Sequence, residues 1–548
     1  MRLLLAGLLL AALAAAPARA QREGILQIGT PLSELIVRQA AAGRIPSTVA
    51  DAQPLSAREA SRWLDSLATR TDLSPTDRDL VTRYRGEAPQ PRLAPLGLYR
   101  DGAAPVRVEG EGYAVEVEPL LYVAGGPARR TATETRSPSA LAYQFTRGIR
   151  VGGRVGRHLI FETRAEENQR VDAILDYDAG ASTTPRLGFV KLPDGKTYDY
   201  FTATGSVAYV DRFVEVRFGR DRNRWGPGIN SLILSDFAAP YDQLQVRAQA
   251  GPIRYSSVFA RFTTPEGRIG DNVLPSRFGA FHQLAVTRGR VDLELFEAVM
   301  FHDDSLGERR GFEIGYLNPV IFYRSVESEL GSADNALLGA AVAVRPATGV
   351  RVYGQALLDE FTAARFFDDY WGNKWGILGG VQTVDLGLPG LELRAEAARL
   401  RPFLYAHKTE DSAVVHYSDA LAYAAGPNAV DFNFFARYRP TVRIETALNV
   451  GHTIRGCNPD GQNVGADPRL PYTTRDTALD LDGVPTLTGV RQTETLVEAR
   501  AGYEILPGLV AEGALVGRRI SDALLGPTRS LTALLQIRWG LPFRSVRY

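Results

Sequence analysis

Beyond Tyr113 the chain repeats one pattern. Stretches such as YAVEVEPLLYV, FVEVRFGR, QLQVRAQA, VDLELFEAV, LELRAEAARL, VRIETALNV and LTALLQIRW alternate apolar with polar or charged residues. A period of two belongs to strands, where successive side chains point to opposite faces; a helix repeats every 3.6 residues or so. Many of these stretches run to roughly nine to thirteen residues, near the length a tilted strand needs to cross a bilayer and longer than most soluble strands. After the first twenty residues, no segment offers the roughly 18 uninterrupted apolar residues of a spanning helix.

Alternation alone allows a soluble sandwich or a closed barrel with a polar lumen. In VDLELFEAV, Val291, Leu293 and Leu295 share one face, with Glu297 on the same parity, while Asp292, Glu294 and Phe296 share the other. In LELRAEAARL, Glu392, Arg394 and Glu396 all point one way. Tight Gly or Pro turns are expected at Gly153, Gly251-Pro252, Gly289, Pro346, Pro389 and Pro507, and longer polar loops over 171–200, 402–430 and 456–489. Short turns at one end and long loops at the other describe an outer-membrane barrel. About nineteen candidate strands are visible, and the even-number expectation for single-chain barrels makes that about eighteen. The expected fold is therefore an all-β transmembrane barrel of about 18 antiparallel strands over residues 110–548, with a small N-terminal α-helical unit. Its last strand is expected over Ser530–Phe543, with Leu531, Leu535, Ile537, Trp539, Leu541 and Phe543 on one face, and either Phe543 or Tyr548 as the terminal aromatic.

The opening MRLLLAGLLLAALAAAPARAQ has an arginine, an apolar run and an A-x-A arrangement at Ala18 and Ala20. That is a cleavable secretory signal over residues 1–20, cut before Gln21, with no cysteine after the cut for a lipid anchor. Residues 21–100 read as a periplasmic helical region and linker. One helix begins at Thr30-Pro31 and ends at Gly43; a second starts at Ser56 with Glu59 three residues on; a third starts near Ser74-Pro75. Four prolines between Ala88 and Leu96 mark the linker. A core this thin needs a larger body to lean on.

Charge is balanced, with Lys+Arg 63 against Asp+Glu 62, so no basic field argues for nucleic acid. The basic residues are almost all arginine, which suits carboxylates and phosphates and which a GC-rich genome also produces. Cys457 is the single cysteine, so an exported chain like this has no internal disulfide framework. The six histidines form no H-E-x-x-H or close ligand cluster, and HYSD at His416 to Asp419 lacks a nucleophile elbow. The aspartates of FHDDS and RFFDDYW lack a full calcium-ligand spacing. No catalytic residue, metal site or cofactor is expected.

One loop stands out. FGRDRNRWGPGINSLILSDFAAP, from Phe218 to Pro240, crowds three arginines and a tryptophan after an alternating stretch. Arg220, Asp221, Arg222, Arg224 and Trp225 are the candidate site, expected at or inside the barrel mouth. Guanidinium groups pair with uronate or phosphate in an acidic glycan, and an indole covers a sugar's apolar face. The same residues better suit a salt-bridge network bracing the lumen, with the tryptophan at a membrane interface. Trp371 and Trp375 in DDYWGNKWG carry the same two readings.

Gly219, Arg220, Trp225, Gly226 and Gly228, followed by Ser235, Ala238 and Pro240, resemble the G-R-x-x-x-x-W-G-x-G and S-x-x-A-x-P segments of Wzi-type capsule-assembly outer-membrane proteins. EIGYLNPVIFYRS, YGQALLDEF and WGNKWGILGG are similar to further landmarks of that superfamily, which includes relatives linked to gliding motility, and the helical start is similar to the family's N-terminal region. The resemblance implies a bacterial outer-membrane barrel with a periplasmic helical bundle, non-enzymatic, whose partners are outer-membrane lipid and a surface or capsular polysaccharide. The alternative is a porin-like diffusion channel or a gliding-related outer-membrane barrel on the same scaffold.

Overall fold

A computed structural model of the protein describes residues 22–88, 97–99, 104–131, 140–171, 183–184, 187–191, 197–263, 276–302, 304–305, 308–309, 313–318, 323, 334–365, 368–417, 419–524 and 526–543. The expected signal, most of the proline-rich linker, Tyr548, much of the loop after Val171 and parts of EIGYLNPVIFYRS, FHDDS and RFFDDYW lie outside them.

Eighteen antiparallel strands close a barrel, from Tyr113–Thr131 round to Gly526–Trp539, which pairs back onto the first. A further short strand, Val106–Gly110, forms a hairpin on the start of Tyr113–Thr131, along the edge that the last strand occupies farther up. The closing strands are eight to nineteen residues long, most of them enough to cross the bilayer and stand beyond it.

Parity sorts the side chains as the alternation requires. Val291, Leu293 and Leu295 are exposed on the outer wall, while Asp292, Glu294 and Phe296 are buried in the lumen. Glu392, Arg394 and Glu396 likewise turn inward. Carboxylates held away from bulk water need partners, and they have them: Asp292 lies 2.6 Å from Arg345, and Glu512 lies 2.9 Å from Arg500.

Three details differ from the sequence reading. Two of the expected tight turns fall a few residues later, at Gly156 and Gly349, because Gly153 lies inside Ala140–Val155 and Pro346 inside Asn335–Ala347. The last strand stops at Trp539, where Gly540 adopts a φ of 68° and an added Cβ would sit 2.6 Å from the Pro119 carbonyl oxygen. The chain there turns inward, so Leu541 packs with Leu120 and Tyr122 and leaves the outer face. Glu297 has outward parity yet is buried, its carboxylate 2.9 Å from His282 Nε2 and accepting the Tyr323 N–H at 3.0 Å. Tyr316 and Tyr323 also cover Ala280, Val299 and Phe301, so the connection after Val291–His302 folds back over the outer wall.

Three helices precede the barrel: α1, Pro31–Ala41; α2, Ala57–Ala68; and α3, Pro75–Tyr84. Ser56 caps α2 by accepting the Glu59 N–H, and Ser74 caps α3 by accepting the Asp77 N–H. Leu35, Ile36, Leu64, Leu67 and Leu80 form their shared core, against which Val442 of a barrel turn packs. The unit sits at the short-turn end, tied down by Glu59 to Arg254 at 2.9 Å and Glu34 to Arg437 at 3.0 Å.

Candidate functional site

The loop singled out in the sequence leaves the long-loop end of Val214–Asp221 and enters the lumen. Along that strand Val216 and Phe218 are exposed on the outer wall and Glu215 and Arg217 are buried inside. Arg220 follows the outward parity. It therefore does not join the others at the mouth: it pairs with Asp242 of the next strand at 3.2 Å, with both side chains substantially exposed. Asp221 turns inward and accepts the Arg222 backbone N–H at 2.8 Å. Arg222 donates from Nε to the Ala238 carbonyl at 2.7 Å, and Arg224 is half-buried. Trp225 is fully buried in one core with Ala52, Leu232, Leu234 and Leu357, so its ring meets protein on its faces.

What holds this loop comes from two directions. From the helical end, the segment between α1 and α2 rises to meet it: Arg224 and Trp225 pair as a two-residue ladder with Gln53 and Ala52, and the Gly226 N–H donates to the Asp51 carbonyl at 2.8 Å. An added Cβ at Gly226 would lie 2.7 Å from Gln355 Nε2 on a backbone with φ of 99°, so this close approach needs glycine. From the wall, Glu396 accepts the Ile229 N–H at 2.7 Å and the Tyr353 hydroxyl at 3.0 Å, and Gln355 accepts the Leu232 N–H at 2.8 Å. Asp51 in turn pairs with Arg351. Ser235 donates its N–H to the Leu421 carbonyl, and the Tyr405 hydroxyl donates to the Leu232 carbonyl at 3.0 Å. The core around Trp225 thus reaches from Val258, Phe281 and Phe296 on one wall to Leu357, Leu378 and Leu400 on another. In this sector the lumen is filled.

Asp51, Gln355 and Glu396 escaped the sequence reading. Parity in LELRAEAARL put Glu396 on one face with Glu392 and Arg394, but nothing in the sequence linked Glu396 or Gln355 to a loop more than a hundred residues earlier.

At the long-loop end, Trp371 is half-buried between the Arg475 guanidinium, 4.0 Å from its centroid, and Tyr472, at 5.2 Å. Arg365 stands 4.0 Å over the Tyr370 ring. Trp375 lies on Lys374–Val384, with Arg399 5.6 Å from its ring. Two histidines in the connection 401–428 are buried. Burial first, then Lys374 near His407 and Arg277 near His416, pulls both imidazoles down to about 3. His416 accepts the Thr263 N–H at 3.1 Å through Nδ1, a bracing role. Among the described residues no group of three or more His, Cys, Asp or Glu could hold a metal ion.

The family model described as capsule assembly protein Wzi matches residues 144–481, more than half of the 548. The chain belongs to the Wzi capsule-assembly family. Among solved structures it is similar to Escherichia coli Wzi, an outer-membrane protein involved in group 1 capsule assembly and a carbohydrate-binding β-barrel, at 13% identity and a TM-score of 0.56 over 95% of this chain and 100% of that one. It also matches a BenF-like porin of Pseudomonas fluorescens Pf-5, at 8% identity and a TM-score of 0.43 over 78% and 99% of the two chains. Pseudomonas aeruginosa OccK8 (OprE) matches at 9% identity and a TM-score of 0.42 over 77% and 97%. No curated protein sequence matches the chain. This Wzi-family member is an outer-membrane β-barrel. Its G-R-x-x-x-x-W-G-x-G segment divides between two surfaces, with the arginine on the outer wall and the tryptophan in the lumen.

Proposed function

We propose that the protein is a non-enzymatic outer-membrane barrel that holds an acidic surface polysaccharide at its long-loop end, in capsule or surface-glycan assembly, and that it is not a diffusion channel. The observation that carries this reading is the closed sector of the lumen, where the Trp225 loop from one end meets the Ala52–Gln53 segment from the other. A porin keeps its lumen open to water. Likeness to a carbohydrate-binding relative supports the polysaccharide. Within the candidate set, Trp225 and Asp221 brace the loop, and Arg222 and Arg224 serve as glycan contacts. Arg365 and Arg475, stacked on Tyr370 and Trp371, extend that contact surface with fixed cations. The test is retention of acidic polysaccharide by cells producing Arg224→Gln, alongside thermal unfolding of the purified protein. Reduced retention with unchanged unfolding supports a glycan contact; normal retention with a destabilised barrel assigns Arg224 to bracing alone.

A further inference from the structure

A cavity lies at the short-turn end, between the helical unit and the strands on either side of the barrel's closure. It encloses about 1150 Å³ of empty space, part of it open to solvent. One wall comes from the start of α1 and the end of α3, including Leu32, Leu80 and Tyr84; another comes from Val442, Val510 and Leu541 of the barrel. The walls are thus largely apolar, yet seven arginines against four glutamates stand among the described lining residues. All four glutamates are already engaged: Glu118 by Arg22 at 2.9 Å, Glu445 by Arg500 at 2.7 Å, Glu504 by Arg83, and Glu512 by Arg500 at 2.9 Å; Arg150 in turn is engaged by Glu162, outside the lining, at 3.0 Å.

Two of the lining arginines are incompletely satisfied. Arg164 is 3% exposed and Arg538 8%, and Nε of each has no hydrogen-bond partner. The nearest carboxylate oxygens are at 3.4 Å from Arg164, on Glu166, and 3.9 Å from Arg538, on Glu512. A buried guanidinium donor without an acceptor is costly. The unfilled donors and the apolar walls fit one chemical class: an organic anion with a carboxylate at one end and an apolar ring face at the other.

We propose that this cavity is a periplasm-facing binding site for a small organic carboxylate of the sugar-acid class, separate from the glycan surface at the long-loop end. The carboxylate pairs with Arg164 and Arg538, and the ring lies against Leu32, Val442 and Val510. Both the helical unit and the barrel contribute walls, so the site exists only in the docked protein.

The experiment is calorimetric titration of the whole mature protein in detergent with glucuronate, glucose and inorganic phosphate. Saturable binding of glucuronate, with none of glucose and weaker binding of phosphate, is expected. Arg164→Gln should weaken glucuronate by about tenfold or more, the size of one lost charge-assisted contact. Val442→Trp, in a half-exposed turn residue, should block the cavity while the barrel still migrates as a folded, heat-modifiable band. Absence of saturable glucuronate binding, binding unchanged in folded Val442→Trp, or phosphate binding as well as glucuronate would overturn the proposal.

Discussion

Trp225 has lost all solvent exposure, and its indole Nε1 has no hydrogen-bond partner. Its contribution is apolar contact between a loop and two walls. Trp225→Ala should therefore cost about 3 to 5 kcal/mol, the range for emptying a large buried aromatic site, read as a lower midpoint of thermal unfolding. Arg220→Gln should do almost nothing, because an exposed pair such as Arg220 with Asp242 contributes only about 0 to 1 kcal/mol. An equal loss of stability in both variants would contradict the division of the motif between wall and lumen. That division was partly legible: Val214, Val216, Phe218 and Arg220 share a parity that the charged Glu215 and Arg217 make outward. Trp225 follows the end of the strand, where parity no longer applies, so its burial depended on contacts with Ala52 and Leu357 that no local pattern encodes.

The connection 401–428 is held by buried, neutral imidazoles. His407 and His416 both have folded values near 3, well below the roughly 6.5 of a free histidine. Between those values the unfolded or opened loop binds protons that the closed loop does not, so stability is full above about pH 6.5 and falls as the pH drops toward 3. Hydrogen exchange of this connection should rise through that window, and His416→Gln should flatten the response. An exchange rate with no acid dependence there would count against the buried-histidine account. At the helical end the sign comes from a carboxylate. Burial raises Glu59, but Arg254 and Arg247 outweigh it and hold the group below the ordinary range, so docking of α2 weakens only in stronger acid. Elements like α2 were readable because Ser56 and Glu59 announce a cap, and strands like Val291–His302 because their parity is unbroken over Val291 to Leu295. Glu297 kept its parity and still became buried, because a distant segment bearing Tyr316 and Tyr323 covers the outer wall. Periodicity specifies which face a residue is on, and tertiary contact decides what lies against that face.

At the scale of the molecule, eighteen strands close a barrel, a helical unit docks at its short-turn end, and two segments meet inside it. The strand pattern carried the barrel, and the Trp225 motif carried the family. In the sequence, the helical unit and the crowded charged faces already favoured a blocked lumen over an open channel. Where the segment between α1 and α2 meets the wall, such charges engage one another, as in Asp51 with Arg351, and Asp292 pairs with Arg345 of the neighbouring strand. Asp51→Ala leaves the buried Arg351 without this partner and should cost about 3 to 5 kcal/mol, detected as a fall in the unfolding midpoint and loosening of the helical unit. The most direct test of the account is single-channel conductance of the purified protein in planar bilayers. Intact protein is predicted to give no stable steps, and a version whose Ala52–Gln53 segment is replaced by a short Gly-Ser linker should give them. Porin-sized steps from the intact protein would contradict a sealed lumen and return the barrel to the diffusion channels.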